Sequence, residues 1–204
     1  MNSVDFAKLA STYLKMPAQA AASAAEELYG KGIISYPRTE TQIFDDSIDL
    51  QALVSLHAGH PLWGVVVQGM ICPGGKFERP RKGEKHDNAH PPSGWCDSSA
   101  AGSLANRAYL LFSPPPFITV HPLKCITQQD VPDVQWKVYE LITRHFLACC
   151  HLDARGSSTT LTVEMGGETF TASGTVVHEL NFMDVYIYQV RSVVARFQRC
   201  VRVM

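Results

Sequence analysis

The stretch that decides the fold runs from residue 17 to residue 41 and reads PAQAAASAAEELYGKGIISYPRTET. Pro17 can open a helix because its missing N–H would have no partner there in any case. The alanine-rich part places four residues on one helical face. They are Ala21, Ala24, Ala25 and Leu28. Gly30 and Gly32 then come where chains commonly leave a helix in a left-handed conformation. We therefore expect a helix, a glycine turn and a strand over IISY.

A second helix is predicted just before this stretch, over residues 4–14, because apolar residues recur there at helical spacing. They are Val4, Phe6, Leu9, Ala10, Tyr13 and Leu14. Two helices, a tight turn and a strand suggest a helix-turn-helix unit with a wing, which often presents a surface to DNA. Helix pairs of this kind are more often plain packing units, so the pattern alone leaves both interpretations open.

The C-terminal half predicts one long helix and one hairpin. In PDVQWKVYELITRHFLACC, residues 132–150, an apolar stripe recurs at helical spacing. It consists of Val134, Val138, Leu141, Ile142, His145, Phe146 and Cys149. His145 on that face is interpreted as a hydrogen-bonded core histidine. In TLTVEMGGETFTASG, residues 160–174, apolar residues alternate on either side of Gly166 and Gly167, which predicts a β-hairpin.

Composition excludes several classes of protein. The chain has 204 residues, 46% of them hydrophobic, which is enough for one core. No apolar run approaches the roughly 18 residues of a membrane span, and no secretion signal precedes the first helix, so we expect an intracellular protein. The six cysteines show no CxxC spacing, so neither a zinc site nor a disulfide framework is indicated. A net charge of −1 argues against non-specific coating of nucleic acid but allows a local phosphate-binding groove.

Two internal segments are expected to lack regular structure. Residues 74–92, GGKFERPRKGEKHDNAHPP, are basic with almost no apolar side chains and are interpreted as an exposed loop. Residues 93–119 show no period and end near a proline triplet.

Tyr36 and Arg38 are the first candidates for chemistry. On an extended backbone they share a face while Pro37 points the other way, and the proline suits an edge strand. A phenol is mostly protonated at neutral pH, whereas a nearby guanidinium favours the phenolate and offers forked donors to a phosphate. The pair therefore suits attack on a phosphodiester that leaves a covalent phosphotyrosine. The alternative is a core tyrosine with an arginine lying over it.

The segment GIISYPRTET is similar, nearly letter for letter, to the active-site segment of type IA DNA topoisomerases. It resembles most the topoisomerase III branch, which has proline where topoisomerase I relatives usually have methionine. Further segments resemble that branch in the same order along the chain. They are IDLQALV, PLWG, DNAHPP, VYELITRHFLACC and NFMDVYIY.

The resemblance implies roles for three residues and a division into domains. Tyr36 would join the 5′-phosphate of a cleaved strand, Arg38 would place the scissile phosphate, and His90 would contact DNA near the break. The expected fold is α+β and mainly helical. A winged-helix (CAP-like) tyrosine domain would cover residues 1–151, and residues 155–188 would supply antiparallel strands of the arch that hinges it.

The resemblance also implies a cofactor and partners. Mg²⁺ is expected in the full-length enzyme, bound by a domain that this sequence does not contain, so the fragment alone is expected to be poor or inactive. Asp45, Asp46 and Asp49 are interpreted as caps of the next helix rather than metal ligands. The implied partners are single-stranded DNA, a RecQ-type helicase and an OB-fold protein, in the nucleus.

Two segments depart from the family pattern. Relatives join the two His-Pro segments directly, whereas here residues 93–119 separate AHPP from VHPL, and LLFSPPPF suggests a retained intron. The tail, residues 189–204, is an arginine-rich amphipathic sequence without a family counterpart. Three hypotheses stay open: a topoisomerase III-type enzyme, a non-catalytic winged-helix module that binds single-stranded DNA, and a fragment without a cellular role.

Overall fold

Helices form much of the regular structure in residues 3–38, 44, 46–81 and 120–189, which the computed structural model describes. The α-helices are α1 (Ser3–Leu9), α2 (Ala18–Gly30), α3 (Leu50–Ser55), α4 (Gly64–Ile71) and α5 (Asp133–Cys149). Strands β1 (Arg155–Met165) and β2 (Glu168–Glu179) form an antiparallel pair after α5. Helices with an antiparallel sheet confirm the expected α+β class at this coarse level.

The two N-terminal helices confirm the predicted helix, turn and helix. Helix α1 continues as one π-helical segment, Ala10–Leu14, which ends where Lys15 adopts φ +56°. Pro17 then caps the start of α2, as expected. The four residues predicted for the inner face of α2 are all buried, so the face was assigned correctly.

Helix α5 is the centre of the core. Every residue from Leu141 to Cys149 is buried, and His145 is 1% exposed with its ring edge-on to that of Tyr186, which confirms its core position. Val134 was expected in the buried stripe and is instead 49% exposed. It lies in the first turn of α5, where Gln135 and Trp136 face the core in its place.

A polar relay fixes α2 on α5. Lys31 Nζ donates to Gln135 Oε1 at 2.6 Å, and Gln135 Nε2 donates to a Glu27 carboxylate oxygen. The Gln135 amide therefore links α5 to both a cation and a carboxylate at the end of α2.

The strand predicted over residues 33–36 is wrong, because the pairing there is limited to a single bridge. Only Ile34 forms a bridge, antiparallel to Pro122, flanked by bonds from Leu123 N to Ile33 O at 2.8 Å and from Ser35 N to His121 O at 3.0 Å. The next donor in register would be residue 37, which is proline and has no N–H. The pairing therefore cannot extend past Ser35.

Part of the predicted loop over residues 74–92 is also paired. Phe77 forms an antiparallel bridge with His151, and Glu78 N donates to Cys150 O at 3.0 Å. Lys76 Nζ donates to Asn181 Oδ1 at 2.9 Å. The sequence did not predict these contacts, because its basic composition suggested a loop and backbone pairing needs no apolar side chain. Residues 82–92 lie outside the described part of the chain.

The predicted hairpin is confirmed, with Gly166 at φ +65° and Gly167 at φ +84° in its turn. Its register pairs Leu161 with Ala172 and Val163 with Phe170. Leu161 is 60% exposed and Phe170 is 51% exposed, so the alternating apolar face predicted from the sequence lies open to solvent.

Helices α3 and α4 were not predicted, although the expectation that an aspartate caps the next helix is confirmed by Asp49. Its Oδ1 accepts from Ala52 N at 2.9 Å at the start of α3. Residues 93–119 and 190–204, on which the intron and tail hypotheses rest, lie outside the described residues. Within the described ranges, no helix has both the length and the apolar character needed to cross a bilayer.

Candidate active site

The candidate site begins with the turn that ends α2. Gly32 adopts φ +65°, and its N–H donates to Tyr29 O at 2.8 Å while Ile33 N donates to Leu28 O at 3.0 Å. These two bonds form a Schellman motif with glycine at its left-handed position. The prediction of a left-handed glycine is therefore confirmed for Gly32, whereas Gly30 is the last helical residue.

Two buried isoleucines anchor the segment that follows. Ile33 is 7% exposed and Ile34 is fully buried, so burial fixes the backbone just before the candidate residues. Ser35 adds a side-chain contact, because its Oγ accepts from His121 N at 3.0 Å. His121 itself is buried beside Phe44 at 5.8 Å between ring centroids.

Successive side chains along this segment lie on opposite sides, so Tyr36 and Arg38 share one side and Pro37 lies on the other. Tyr36 is 42% exposed, Pro37 is buried, and the Arg38 side chain is 68% exposed. The structure therefore agrees with the expected outward presentation of Tyr36 and Arg38, although the segment is not a strand. It does not agree with the alternative of a tyrosine sealed in the core.

Both side chains contact the exposed face of α2. The Tyr36 ring meets the Tyr29 ring edge-on, with centroids 5.2 Å apart and planes at 67°. Arg38 Nε donates to Glu26 Oε1 at 2.7 Å, and Arg38 Nη2 donates to the same oxygen. The hydrogen bond to Glu26 and then the charge of Glu26 raise the pKa of Arg38, with a further contribution from Tyr36. The guanidinium is therefore firmly cationic beside the phenol.

This arrangement has the chemical parts for attack on a phosphodiester. An accessible hydroxyl can approach phosphorus, and a fixed cation beside it can hold non-bridging oxygens. Glu26 and Tyr29 were not identified from the sequence. Their signal was present, because residues three apart on a helix share a face and these two lie outside the buried alanine stripe.

The third predicted residue, His90, lies outside the described residues. The structure therefore brings together Tyr36 and Arg38 of the three candidates.

The described residues do not fit the Mg²⁺ that the resemblance implies. Asp46 pairs with Arg79 at 3.5 Å, and Asp49 is occupied as the cap of α3. Over the described ranges, no group of three or more His, Cys, Asp or Glu side chains converges as metal ligands would. The implied Mg²⁺ would therefore be held by residues other than these.

Comparison with known proteins identifies the family of the chain. A family model described as DNA topoisomerase matches residues 1–197. The chain is 39% identical over 188 residues to DNA topoisomerase 3-alpha of Drosophila melanogaster, an alignment that covers 92% of this chain and 12% of that protein.

Two more relatives extend the comparison. DNA topoisomerase 3 of Schizosaccharomyces pombe is 35% identical over 190 residues, covering 93% of this chain and 26% of the relative. DNA topoisomerase 3-alpha of Homo sapiens is 37% identical over 188 residues, covering 92% and 16%. The resemblance to the topoisomerase III branch is confirmed, and the chain spans about a quarter or less of these relatives.

Proposed function

This chain belongs to the DNA topoisomerase family, and we propose that it is the part of a topoisomerase III-type enzyme that cleaves and rejoins one DNA strand through Tyr36. The observation that carries the proposal is the accessible Tyr36 beside the cationic Arg38, within a segment that resembles the family's active site. Strand passage through the break would then relax or decatenate DNA.

The proposed reaction is a transesterification. The Tyr36 oxygen forms a bond to phosphorus as the bond from phosphorus to the neighbouring 3′-oxygen breaks, which leaves a 5′-phosphotyrosine and a 3′-hydroxyl. The phenolic proton leaves to solvent or a base, and the 3′-oxygen takes up one proton. Because the ester count is unchanged, rejoining needs no nucleotide cofactor.

Arg38 is proposed to stabilise the transition state. Its guanidinium offers several donors in a fixed plane, which suits the non-bridging phosphate oxygens as negative charge accumulates on them. The high exposure of its side chain leaves room for a DNA backbone. His90 is proposed as a DNA contact on the resemblance alone.

The hairpin is proposed to belong to the arch, and residues 1–151 to the tyrosine domain of winged-helix type. Support for the first assignment is the open apolar face that includes Leu161 and Phe170, which another layer of a larger domain would cover. We extend the proposal to the implied setting, which is single-stranded DNA as substrate, Mg²⁺ held elsewhere in the full-length enzyme, a nuclear location, and a RecQ-type helicase and an OB-fold protein as partners.

Cleavage of a labelled single-stranded oligonucleotide tests the proposal. The purified chain is incubated with Mg²⁺, first alone and then with the metal-binding domain of a relative supplied as a second polypeptide. We expect a covalent adduct with the second mixture that is lost in Tyr36→Phe. Retarded mobility without an adduct, unchanged in Tyr36→Phe, would instead support the non-catalytic binding module.

A further inference from the structure

The exposed face of α2 holds one partner for each member of the candidate pair. Glu26 and Tyr29 lie three residues apart, which puts them on the same helical face. Glu26 contacts Arg38 and Tyr29 contacts Tyr36. Two independent contacts therefore join one turn of α2 to the two residues of the proposed chemistry.

The contact between Glu26 and Arg38 uses one side of the guanidinium. Glu26 Oε1 accepts from Nε and from Nη2, which engages two of the five N–H groups of Arg38. Three N–H groups remain: one on Nη1 and one on Nη2 form the end of the guanidinium fork, and the second on Nη1 points to the side away from Glu26. Phosphate oxygens can bind this end without displacing Glu26.

We propose that Glu26 and Tyr29 are positioning residues, and that Glu26 remains bound to Arg38 when a DNA phosphate arrives. This inference rests on the proposed function and adds to it the support that orients the site. Glu26 holds the guanidinium plane, and Tyr29 limits the rotation of the Tyr36 ring through its edge-on contact.

The physical gain is preorganisation. A free arginine side chain loses several rotatable bonds on binding a phosphate, whereas one already held by a carboxylate has lost much of that freedom beforehand. Glu26 repels a phosphate in principle, but its side chain is 44% exposed, so water screens that repulsion. The relay of Glu27 through Gln135 keeps α2 itself in place on α5.

The first test observes Arg38 Nε–H directly by nuclear magnetic resonance in the full 204-residue chain. Tyr36→Phe serves as the background, so that no cleavage occurs. We expect an Nε–H signal that exchanges slowly with water and stays slow when a single-stranded oligonucleotide is added to saturation. Glu26→Ala is expected to remove this protection, whereas Glu164→Gln, which loses the same charge on exposed β1, keeps it.

Two results would overturn the inference. Loss of protection on adding the oligonucleotide would show that Glu26 competes with DNA for Arg38. Equal exchange in wild type and Glu26→Ala would show that Glu26 does not hold Arg38. If the oligonucleotide does not bind at all, the proposed function fails and this inference fails with it, and the absence of any binding distinguishes that outcome from the other two.

The second test separates positioning from binding in the two-polypeptide cleavage mixture. At saturating oligonucleotide we expect Glu26→Ala to lower the rate of adduct formation about tenfold while half-saturation changes by less than about twofold. Glu26→Gln, whose amide oxygen still accepts from Nε, should recover part of the rate. Tyr29→Ala should lower the rate about fivefold, and Tyr29→Phe, which keeps the ring, should restore most of it. Unchanged rates in both alanine variants would contradict the inference.

Discussion

Two of the arginine–glutamate ion pairs among the described residues lie in contrasting settings. Arg144 and Glu140 form one on α5 at 2.8 Å, with side chains 8% and 22% exposed, and Arg38 and Glu26 form the other beside α2 with side chains 68% and 44% exposed. The buried Arg144 also donates to Val185 O at 3.0 Å and lies over the Trp63 ring at 5.4 Å. The buried guanidinium is thus surrounded on several sides, whereas the exposed one is held on one side only.

A tyrosine accompanies each ion pair, Tyr139 in the core and Tyr36 at the surface. Tyr139, in the core, donates its hydroxyl to Lys124 O at 2.7 Å, and burial raises its pKa to about 12. Tyr36, at the surface, has its ring packed against Tyr29 and remains 42% exposed. We call the first set, Tyr139, Glu140 and Arg144, the core set and the second, Tyr36, Arg38 and Glu26, the surface set.

The difference indicates that access rather than residue type would separate a structural role from the chemical role proposed for the surface set. In the core set the Tyr139 hydroxyl is buried and donates to a backbone carbonyl, so no phosphate can reach it. In the surface set one edge of the arginine and the ring of the tyrosine face solvent. Substitutions should therefore affect stability in the core set and cleavage in the surface set.

Apart from removal of the Tyr36 nucleophile itself, the largest expected effect is the loss of cleavage in Arg38→Ala. Loss of the cation beside the phosphate should lower the rate of adduct formation about a hundred- to thousandfold, with the thermal unfolding midpoint near that of wild type. The measurement is adduct formed per minute on a labelled oligonucleotide in the two-polypeptide mixture. Arg79→Ala, which removes an exposed arginine paired with Asp46, is the matched control and should keep the wild-type rate.

The next largest expected effect is the pH dependence of the unfolding free energy that His57, near the core set, produces. Burial first, and then the charge of His60, lower the pKa of His57 to about 4. Trp63 Nε1 donates to His57 Nδ1 at 3.3 Å, so His57 is held neutral. The stability that neutral His57 contributes is fully present above the unfolded pKa of roughly 6.5. It is lost as pH falls from there through about 4, and the loss amounts to about 3 kcal/mol of unfolding free energy.

Urea unfolding at pH 7, 6, 5 and 4 measures this dependence. In His57→Gln, whose side-chain oxygen can still accept from Trp63, the fall in unfolding free energy between pH 7 and pH 4 should be smaller. An equal fall in both proteins would show that other groups, among them His60 and His151, account for the acid sensitivity.

A slightly smaller effect is expected for the buried ion pair. Arg144→Ala leaves Glu140 without its cation and removes the contact with Trp63, so the free energy of unfolding should fall by about 2–3 kcal/mol. Urea denaturation at neutral pH measures it, with Arg38→Ala as the paired variant at the surface. A larger loss of stability in Arg38→Ala than in Arg144→Ala would reverse the comparison.

The smallest effect on the free energy of unfolding is expected for the tyrosine hydroxyls. Tyr139→Phe removes the bond to Lys124 O and the bond accepted from Ile126 N, and should cost about 1 kcal/mol of unfolding free energy. Tyr36→Phe should leave the unfolding free energy unchanged while it abolishes adduct formation. If both variants kept full stability, the hydroxyl of Tyr139 would have no structural role.

Strong local patterns made three parts of the fold predictable. Helix α2 has a clear alanine stripe, α5 a long apolar repeat, and the hairpin two glycines between alternating residues. Helix α4 was missed because GVVVQGMI is apolar without a helical period and rich in valine, which favours strands. It forms because tertiary packing buries Val67 and Met70.

The candidate site was predictable in part. Resemblance identified Tyr36 and Arg38, and period-two alternation predicted their shared exposure. The contribution of Glu26 and Tyr29 depends on how the Schellman turn at Gly32 folds the chain back along α2, which spacing alone does not specify. The clearest pattern in α2 is its buried stripe, which marks a different face of the helix.

Identification of the covalently modified residue tests the central claim most directly. The chain, a metal-binding domain, Mg²⁺ and an oligonucleotide are incubated and denatured, and the adduct is digested and sequenced by mass spectrometry. The account predicts a nucleotide attached through its 5′-phosphate to Tyr36. Attachment to any other residue, or free Tyr36 throughout a reaction that yields cleaved strands, would contradict it.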